Sequence, residues 1–407
     1  MSLLPVSAAR ATVLRGCHRL HPAAVPLAQA LGLVTSVPIQ AETDVPPFAN
    51  SAMDGYAVRA ADTVAAPVRL VVVGTIAAGA PPRPGVGAGE AVRIMTGAPL
   101  PAGADAVVMV EDTVAHEDGD AVTINRSARE GDHIRGPGED VAAGQEVFPA
   151  FTVLQPGHLG VLASLGMSRV PVFKRARVGV LSTGDELVEP SGPLEPGQIR
   201  DSNRPTLLAL LVQAGCDAVD LGHAPDRAEA IGQALEAGLA DCDAVITSGG
   251  VSVGDFDYVK VVLDELSGGT MQWMQVAVKP AKPLAFGLVS GRPVFGLPGN
   301  PVSSMVSFEL FVRPALRQMM GHCVLDRLQV QAVADEVLPR RADGKLHLVR
   351  AHVEWDDADG RFHVRSAGGQ GSHMLRATAL ANALALVPDG DGSQPGGNVK
   401  VILLSYP

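Results

Sequence analysis

The segments that decide the fold are RVGVLST at 177–183, CDAVDLGHA at 216–224 and DAVITSGG at 243–250. Each is a short apolar run, and stretches with helical spacing lie between them, such as RPTLLALLVQAG at 204–215. Strands that alternate with helices are typical of a sheet with parallel strands and helices on both faces. The sequence therefore predicts a doubly wound α/β domain over 177–326.

Five polar loops interrupt this domain at the ends of apolar segments. They are STGDE at 182–186, APD at 224–226, SGGVSVGDFD at 248–257, KPAK at 279–282 and PGNP at 298–301. In an open α/β sheet, ligands bind at the carboxyl ends of the strands, so we expect these loops to share one edge. The last loop also predicts the start of a helix, because Asn300 is a favoured N-cap residue and Pro301 suits the first helical position.

The SGG loop has the composition of an anion-binding turn. Glycine lets backbone N–H groups approach a phosphate or another oxyanion closely, and the PGNP turn directs a helix N-terminus towards the same place. An ordinary tight turn is the alternative interpretation of a glycine-rich turn taken alone. The candidate binding residues here are Ser248, Gly249, Gly250, Ser252, Pro298 and Pro301.

Carboxylates and lysines supply the charges at the same edge. Asp185, Glu186, Asp226 and Asp257 form a hard-oxygen set suited to Mg²⁺ that is itself bound to phosphate, although helix capping could also explain Asp185 or Asp226. Lys279 and Lys282 flank Pro280 in an extended segment, and two fixed cations suit a dianion. A solvated surface pair is the alternative for the lysines. The eleven histidines form no HxH or HExxH set, which disfavours zinc catalysis.

The remainder of the chain predicts three further parts. Helical signals around 25–33 and again at 152–167 indicate one discontinuous helical module over 1–45 plus 147–176. Short β-branched runs cut by Gly or Pro indicate an inserted small β domain over 46–146. Five short strands after residue 327 indicate a C-terminal β-barrel-like domain over 327–407.

Composition excludes several classes of partner. The net charge of −11, with two Trp and three Tyr, argues against a nucleic-acid binder. Four scattered cysteines without a CxxC pair argue against a disulfide framework and fit a reducing compartment. The first twenty residues lack the apolar core of a signal peptide, and no window offers about 18 uncharged apolar residues. We therefore expect a cytoplasmic protein without a membrane partner.

Eight segments together resemble one known family, the MoeA family of molybdopterin molybdenumtransferases, which includes the E domain of gephyrin. They are SAMDGYAV (51–58), IMTGAPLPAGADAVVMVED (94–112), LSTGDEL (181–187), GQIRDSN (197–203), TSGGVSVGDFDYVK (247–260), VAVKPAKPLAFG (276–287), GLPGNPVSS (296–304) and GGQGSHML (368–375). The resemblance implies an elongated homodimer of four-domain subunits, in which the molybdopterin-binding α/β domain faces the small β domain of the other subunit.

The resemblance also implies a reaction. Adenylylated molybdopterin and molybdate would be the substrates, molybdenum would enter the dithiolene, and AMP would leave in the presence of Mg²⁺. The molybdopterin adenylyltransferase and the acceptor molybdoenzymes would be the protein partners. Two related enzyme types share the α/β loops, the adenylyltransferase itself and the competence-damage proteins that act on nucleotides, but both lack the MDGYAV domain and the β tail. A binding-only scaffold is the alternative from another class.

Site roles carry over from the family motifs residue by residue. Glu186, Asp226 and Asp257 resemble the family's metal and pyrophosphate carboxylates, with Asp185 assisting them. The molybdate-holding groups would be Lys279, Lys282, Ser303, Arg350 and Ser372. Asp54, Thr96 and Asp140 match positions that reach in from the small β domain, although Asp54 beside Gly55 is also an ordinary turn residue.

Two departures from the family pattern stand in these loops. Asp255 stands where many relatives have Glu or another residue, and we expect this change to leave the role of Asp257 unaffected. Ala281 replaces a glycine that is common in the family. We expect that alanine to narrow the conformations of the lysine loop and to alter its anion affinity slightly.

Overall fold

The computed structural model describes residues 3–250, 258–340, 342–387 and 389–405. The chain divides into two compact units. The first unit comprises Met1–Ala23, Gly32–Ser36 and Pro171–Pro407, and the second comprises Ala24–Leu31 and Val37–Val170. No helix among the described residues is both long enough and apolar enough to span a membrane.

Helices occupy a minor part of the chain. Those of the described residues are α1 Val6–Gly16, α2 Pro156–Ser164, α3 Asn203–Gln213, α4 Ala228–Asp241, α5 Tyr258–Leu266, α6 Pro301–Ser307, α7 Arg313–Met319 and α8 Leu375–Ala379. A π-helical segment, Phe308–Val312, joins α6 to α7. As the sequence predicts, α6 begins with Asn300 at the N-cap and Pro301 at the first helical position.

Short strands make up most of the remaining regular structure. The strands before residue 174 are β1 Pro22–Pro26, β2 Val34–Thr35, β3 Ile39–Gln40, β4 Asn50–Ser51, β5 Gly55–Val58, β6 Val68–Ile76, β7 Glu90–Ile94, β8 Ala106–Met109, β9 Thr113–Ala115, β10 Ala121–Ile124, β11 Ile134–Arg135, β12 Glu146–Phe148 and β13 Arg169–Phe173. The later strands are β14 Arg177–Thr183, β15 Leu187–Val188, β16 Ile199–Arg200, β17 Asp217–Ala224, β18 Ala244–Ser248, β19 Gln272–Gln275, β20 Val278–Lys279, β21 Pro283–Val289, β22 Arg292–Leu297, β23 Gln329–Ala334, β24 Leu346–Asp356, β25 Arg361–Ser366, β26 Ala383–Val387 and β27 Asn398–Leu403.

The first unit contains the predicted α/β sheet, with strand order β17-β14-β18-β22-β21-β19. The first four of these strands are parallel, whereas β21 is antiparallel to β22 and β19 is antiparallel to β21. Helix α3 contributes Leu207 and Leu211 to the core on one face, and helix α4 contributes Ile231 and Leu235 to the core on the other. Helices on both faces confirm the doubly wound fold.

The sequence prediction omitted strand β21. This strand returns to β22 through Ser290 and Gly291, and Val289 pairs with Arg292 across the turn. Both turn residues have positive φ angles, 51° for Ser290 and 78° for Gly291, as a two-residue type I′ hairpin requires. The Ser-Gly dipeptide was therefore the local signal for the missing strand.

The strand directions bring the polar loops to one edge of this sheet. Loops 184–186, 225–226, 249–250 and 298–300 follow the carboxyl ends of the four parallel strands. Because β19 and β21 are antiparallel to each other, the segment 276–282 that joins them lies at the same edge. This shared edge is the one that the sequence predicts.

Five C-terminal strands close into a barrel, as expected from the tail. Their order is β24-β25-β23-β27-β26, and β26 pairs back with β24. The two-residue strand β20 extends this barrel by pairing in parallel with the start of β24, which sets Lys279 opposite His347. The lysine segment is therefore hydrogen-bonded to the barrel as well as to the α/β sheet.

The second unit is built around a six-stranded sheet of order β8-β5-β7-β6-β10-β9, which is the predicted small β domain. Helix α2 agrees with the helical pattern at 152–167. The helical expectation around 25–33 is wrong, since strand β1 and a short 3₁₀ segment, Leu27–Gln29, stand there. Pro26 donates no backbone hydrogen bond and Gly32 has a φ angle of 76°, in the left-handed region, so a regular helix does not run through this segment. The four-part division of the chain stays a prediction.

A buried ion pair in the first unit allows a stability test. Glu309 has 3% of its side chain exposed and accepts hydrogen bonds from Nε and Nη2 of Arg327 at 2.7 and 2.8 Å. Arg327→Met leaves this carboxylate with only Arg313, at 4.0 Å, as its other ion-pair partner in the described chain. We expect a loss of about 3–5 kcal/mol in the free energy of unfolding, measured by urea denaturation.

The matched control is Arg365→Met. Arg365 pairs with Glu354 at 3.2 Å, but about half of each side chain is exposed. Exposed pairs contribute roughly 0–1 kcal/mol, so this variant should unfold almost like the wild type. Equal destabilisation of the two variants would contradict the importance assigned to the buried pair.

Candidate functional site

Two adjoining cavities lie at the loop edge of the α/β sheet in the first unit. The cavity that we call the cationic cavity has a volume of about 820 Å³, and its polar lining comprises Lys279, Lys282, Asn300, Ser303, Arg340, Lys345, His347, Gln370 and Ser372. The acidic cavity has a volume of about 770 Å³, and its polar lining includes Glu186, Asn203, Asp226, Ser248, Asn300, Ser303 and His373. Pro283, Asn300 and Ser303 line both cavities.

The charges of the two cavities differ. Among the described residues, no carboxylate lines the cationic cavity, whereas four of its lining residues are Lys or Arg. Arg340 and Lys345 already pair with Asp389 and Asp343, so Lys279 and Lys282 provide the charge for a ligand. Conversely, no Lys or Arg among the described residues lines the acidic cavity, whose carboxylates belong to Glu186 and Asp226. The first cavity therefore suits an anion and the second suits a cation.

The backbone fixes the spacing of the two lysines. Lys279 lies in strand β20, and the carbonyl of Lys282 accepts a hydrogen bond from the backbone N–H of Val276 at 2.7 Å. Between them, Ala281 is 2% exposed and has a φ angle of 82°, in the left-handed region that glycine favours. A non-glycine residue in this region costs backbone free energy, so contacts elsewhere in the protein must hold the loop in this conformation.

Arg350 is buried beside the cationic cavity rather than open to it. Arg350 is 1% exposed. Its Nη2 donates hydrogen bonds to the carbonyls of Gly369 and Gly371 at 2.7 and 3.1 Å. Burial lowers the pKa of Arg350. Nε and Nη1 of Arg350 have no partner within the described part of the chain. The guanidinium thus orders the loop that carries Gln370 and Ser372 into the cavity wall.

Ser372 and Ser303 come together through a backbone contact. The carbonyl of Ser372 accepts a hydrogen bond at 3.1 Å from the backbone N–H of Val302, in the first turn of α6. Ser303 follows in the same turn and is 6% exposed. The contact satisfies one of the helix's unpaired N–H groups from within the protein, and it sets both serines at the cationic cavity.

The acidic loops are locked to each other through their own backbones. The N–H of Asp226 donates to Oδ1 of Asp185 at 3.0 Å, and the N–H of Asp185 makes a longer bond to Oδ2 of Asp226 at 3.4 Å. Gly184 has a φ angle of 142°, and a Cβ atom there would lie 2.4 Å from a carboxylate oxygen of Glu186, so a side chain at this position would displace that carboxylate. Glu186 and Asp226 line the acidic cavity, whereas Asp185 joins the two loops.

The SGG loop packs directly on the PGN loop. The N–H of Gly249 donates to the carbonyl of Leu297 at 3.1 Å. Gly249 has a φ angle of 104°, and a Cβ atom there would lie 2.8 Å from the carbonyl oxygen of Thr183. Gly249, Gly250, Pro298 and Pro301 all line the acidic cavity with Ser248. Ser252 and Asp257 lie outside the described residues.

Three candidates belong to the second unit. Oδ1 of Asp54 accepts hydrogen bonds from the backbone N–H and from the hydroxyl of Thr96, both at 2.7 Å. Both bonds lower the pKa of Asp54, and the bond from the backbone N–H has the larger effect. Asp140 is exposed, and its backbone N–H donates to the carbonyl of Val45. Asp54 and Thr96 are therefore hydrogen-bonded to each other on the exposed surface of the second unit.

Several lining residues had no role in the sequence prediction. They include Asn203, Arg340, Lys345, His347, Gln370 and His373, and Asn300 was expected only as a helix N-cap. Asn203 ends the GQIRDSN segment, and Gln370 and His373 lie within GGQGSHML, so the quoted motifs contained part of this signal. Lys345 and His347 had no such signal, because only the pairing of β20 with β24 brings them to the lysines.

Comparison with protein families covers most of the chain. Residues 4–166 match the family model described as the MoeA N-terminal region (domain I and II). Residues 179–318 match a probable molybdopterin binding domain, and residues 339–404 match the MoeA C-terminal region (domain IV).

Whole-length relatives agree with these matches. The chain is 43% identical over 391 residues to molybdopterin molybdenumtransferase 2 of Mycobacterium tuberculosis (strain H37Rv), covering 93% of each chain. It is 38% identical to the molybdopterin molybdenumtransferase of Haemophilus influenzae, covering 92% of each. A solved structure of the molybdopterin biosynthesis MoeA protein from Pyrococcus horikoshii superposes with a TM-score of 0.83 at 30% identity, covering 100% of both chains. The chain therefore belongs to the MoeA family of molybdopterin molybdenumtransferases and is a transferase.

Proposed function

We propose that this transferase completes molybdenum cofactor by inserting molybdenum from molybdate into the dithiolene of adenylylated molybdopterin, with Mg²⁺-dependent release of AMP. The observation that carries the proposal is the pair of adjoining cavities with opposite charge preference at one sheet edge. Such a pair can hold a dianion beside a metal-bound phosphate, and positioning of reactants is the larger part of phosphoryl chemistry.

Molybdate would bind in the cationic cavity. Lys279 and Lys282 offer two ammonium groups on a fixed loop, and Ser303 and Ser372 offer hydroxyl donors at the same wall. Charge-assisted hydrogen bonds of this kind grip a tetrahedral dianion strongly. Arg350 would add its positive charge from behind the loop that it orders, because its nearest polar contacts are neutral carbonyls.

Mg²⁺ would bind in the acidic cavity. Glu186 and Asp226 present carboxylate oxygens, the donors that Mg²⁺ prefers, and no described Lys or Arg of the lining competes for them. The donor set therefore fits the ion, and Asp257 is the proposed third ligand. When bound, Mg²⁺ neutralises charge on the cleaved phosphoanhydride. Asp185 would assist by holding the loop of Asp226 in place.

The glycine-rich edge of the acidic cavity would receive the pterin substrate and its phosphates. We propose that Ser248, Gly249, Gly250 and Ser252 form the wall that contacts the phosphates, with the Ser248 hydroxyl and the N–H groups of Gly250 and Ser252 as donors, because glycine permits close approach to an anion and the N–H of Gly249 already donates to Leu297. Pro298 and Pro301 shape the opposite side of the cavity.

Residues of the second unit would complete the cleft in a homodimer. We propose that Asp54, Thr96 and Asp140 reach the α/β domain of the partner subunit, with Asp54 ionised because its pKa is lowered. The molybdopterin adenylyltransferase would supply the substrate, and acceptor molybdoenzymes would take the product in the cytoplasm. The scattered, mostly buried cysteines fit that reducing compartment.

The decisive experiment measures AMP release from purified protein given adenylylated molybdopterin and Mg²⁺, with and without molybdate. Release that depends on molybdate, together with formation of active cofactor, is the expected result. Tight binding of the pterin without release would favour a scaffold. No binding at all would favour a nucleotide-processing activity.

Lys282→Ala should weaken molybdate binding by roughly 10–100-fold, since a hydrogen bond to a charged group is worth about 1.5–3 kcal/mol. The measurement is the dissociation constant of molybdate by isothermal titration calorimetry. Lys174→Ala is the control, because Lys174 is exposed and lines a different cavity. An unchanged constant in Lys282→Ala would remove this lysine from the site.

Asp226→Asn should raise the Mg²⁺ concentration needed for half-maximal AMP release by at least about tenfold, because one anionic ligand is lost. The amide oxygen still accepts the weak backbone bond from Asp185, so the loop is retained. Asp217→Asn is the matched control, since Asp217 is exposed at the opposite end of the same strand, β17. Identical Mg²⁺ dependence in the two variants would refute the proposed ligand.

A further inference from the structure

Asn203 ends the GQIRDSN segment and has no role in the site described above. It is the first residue of α3, where Oδ1 of Asp201 accepts hydrogen bonds from the backbone N–H groups of Asn203 and Arg204, both at 3.1 Å. Arg204 is itself buried and pairs with Glu189 at 2.6 Å. The start of α3 is therefore held rigidly at the edge of the acidic cavity.

The side-chain amide of Asn203 bridges two loops of that cavity. Its Nδ2 donates to Oγ of Ser248 at 2.8 Å and to the carbonyl of Gly299 at 2.7 Å. Ser248 ends β18 and Gly299 follows β22. A carbonyl only accepts hydrogen bonds, so Gly299 fixes which end of the amide faces the loops.

The other end of the amide is unsatisfied. Oδ1 of Asn203 is buried and has no hydrogen-bond partner within the described residues. A buried acceptor without a partner costs free energy comparable to a lost hydrogen bond. This orientation of the amide therefore leaves one hydrogen bond of Asn203 unmade. We attribute its retention to the two loops that the amide connects.

We infer that Asn203 is a positioning residue for the transfer reaction, whose amide sets the separation of the Ser248 and Gly299 loops. The β18–β22 ladder ends at Ser248 and Leu297, and beyond it the bond from the N–H of Gly249 to the carbonyl of Leu297 stops two residues before Gly299. Without the amide, the SGG turn can shift relative to Gly299, whereas the start of α6 stays held by the hydrogen bond from Val302 to Ser372. A shift of about 1 Å in a positioning element can lower a rate roughly a hundredfold. This inference rests on the proposed function.

The test compares Asn203→Leu and Asn203→Asp with the wild type. Both variants keep the size of the side chain and lose the donor amide, while Asp keeps the polar acceptors. We expect kcat for molybdate-dependent AMP release to fall roughly 10–100-fold in both, with KM for adenylylated molybdopterin changed less than about threefold. The molybdate dissociation constant should stay unchanged, because neither Asn203 nor Ser248 lines the cationic cavity.

Two further readouts distinguish positioning from folding. Asn203→Leu should keep its urea midpoint, because removal of the unpaired acceptor offsets the loss of two partly exposed hydrogen bonds. Ser202→Ala, at the N-cap of the same helix, should keep full kcat, since Ser202 makes no side-chain capping bond there.

Each contrary result has its own meaning. A lower urea midpoint together with weaker molybdate binding would make Asn203 a structural residue and overturn the inference. Full kcat in Asn203→Asp would also overturn it, because the donors would then be unnecessary. A wild-type protein that releases no AMP would refute the proposed function first, and the inference would fall with it.

Discussion

The antiparallel direction of strand β21 is the constraint on which the site depends. Because β21 runs against β22, the segment 276–282 that precedes it lies at the carboxyl edge of the parallel strands. A parallel strand at this position would begin at the opposite edge, and both lysines would lie a full strand length from Glu186 and Asp226. The two-residue turn at Ser290 and Gly291 makes the reversal, so a hairpin far from the chemistry determines where the cations stand.

The position of segment 276–282 also keeps the lysines in a different cavity from the carboxylates. If the lysines lined the same cavity as the carboxylates, they would pair with them, and neither set would be free to hold a ligand. In the described structure Pro283, Asn300 and Ser303 stand between the two groups and line both cavities. The net charge of −11 does not oppose anion binding there, because charges more than about 10 Å away are largely screened at physiological salt. Local loops, and not the overall charge, decide what binds.

The sequence predicted those parts of the fold that depend on local pattern. Alternating apolar strands and helices gave the α/β domain, and the loop composition placed Glu186, Asp226 and the lysines at one edge. Features that depend on long-range contact were not predictable. Arg350 is buried under the loop of Gly369 and Gly371, about twenty residues further along the chain, and the contact between Val302 and Ser372 joins residues 70 positions apart in the sequence. Asn203 was missed for the same reason, because nothing local marks an amide whose partners lie 45 and 96 residues away.

Ala281 shows how one of these long-range contacts sustains local strain. An alanine in the left-handed region costs roughly 1–2 kcal/mol, and a glycine at this position would not incur that cost. The loop keeps its conformation because Val276 binds the carbonyl of Lys282 on one side and β20 pairs with β24 on the other. The spacing of Lys279 and Lys282 is therefore imposed by the sheet and the barrel together. A lysine pair held in this way loses little side-chain and backbone freedom when an anion binds, which is the physical advantage of a preorganised site.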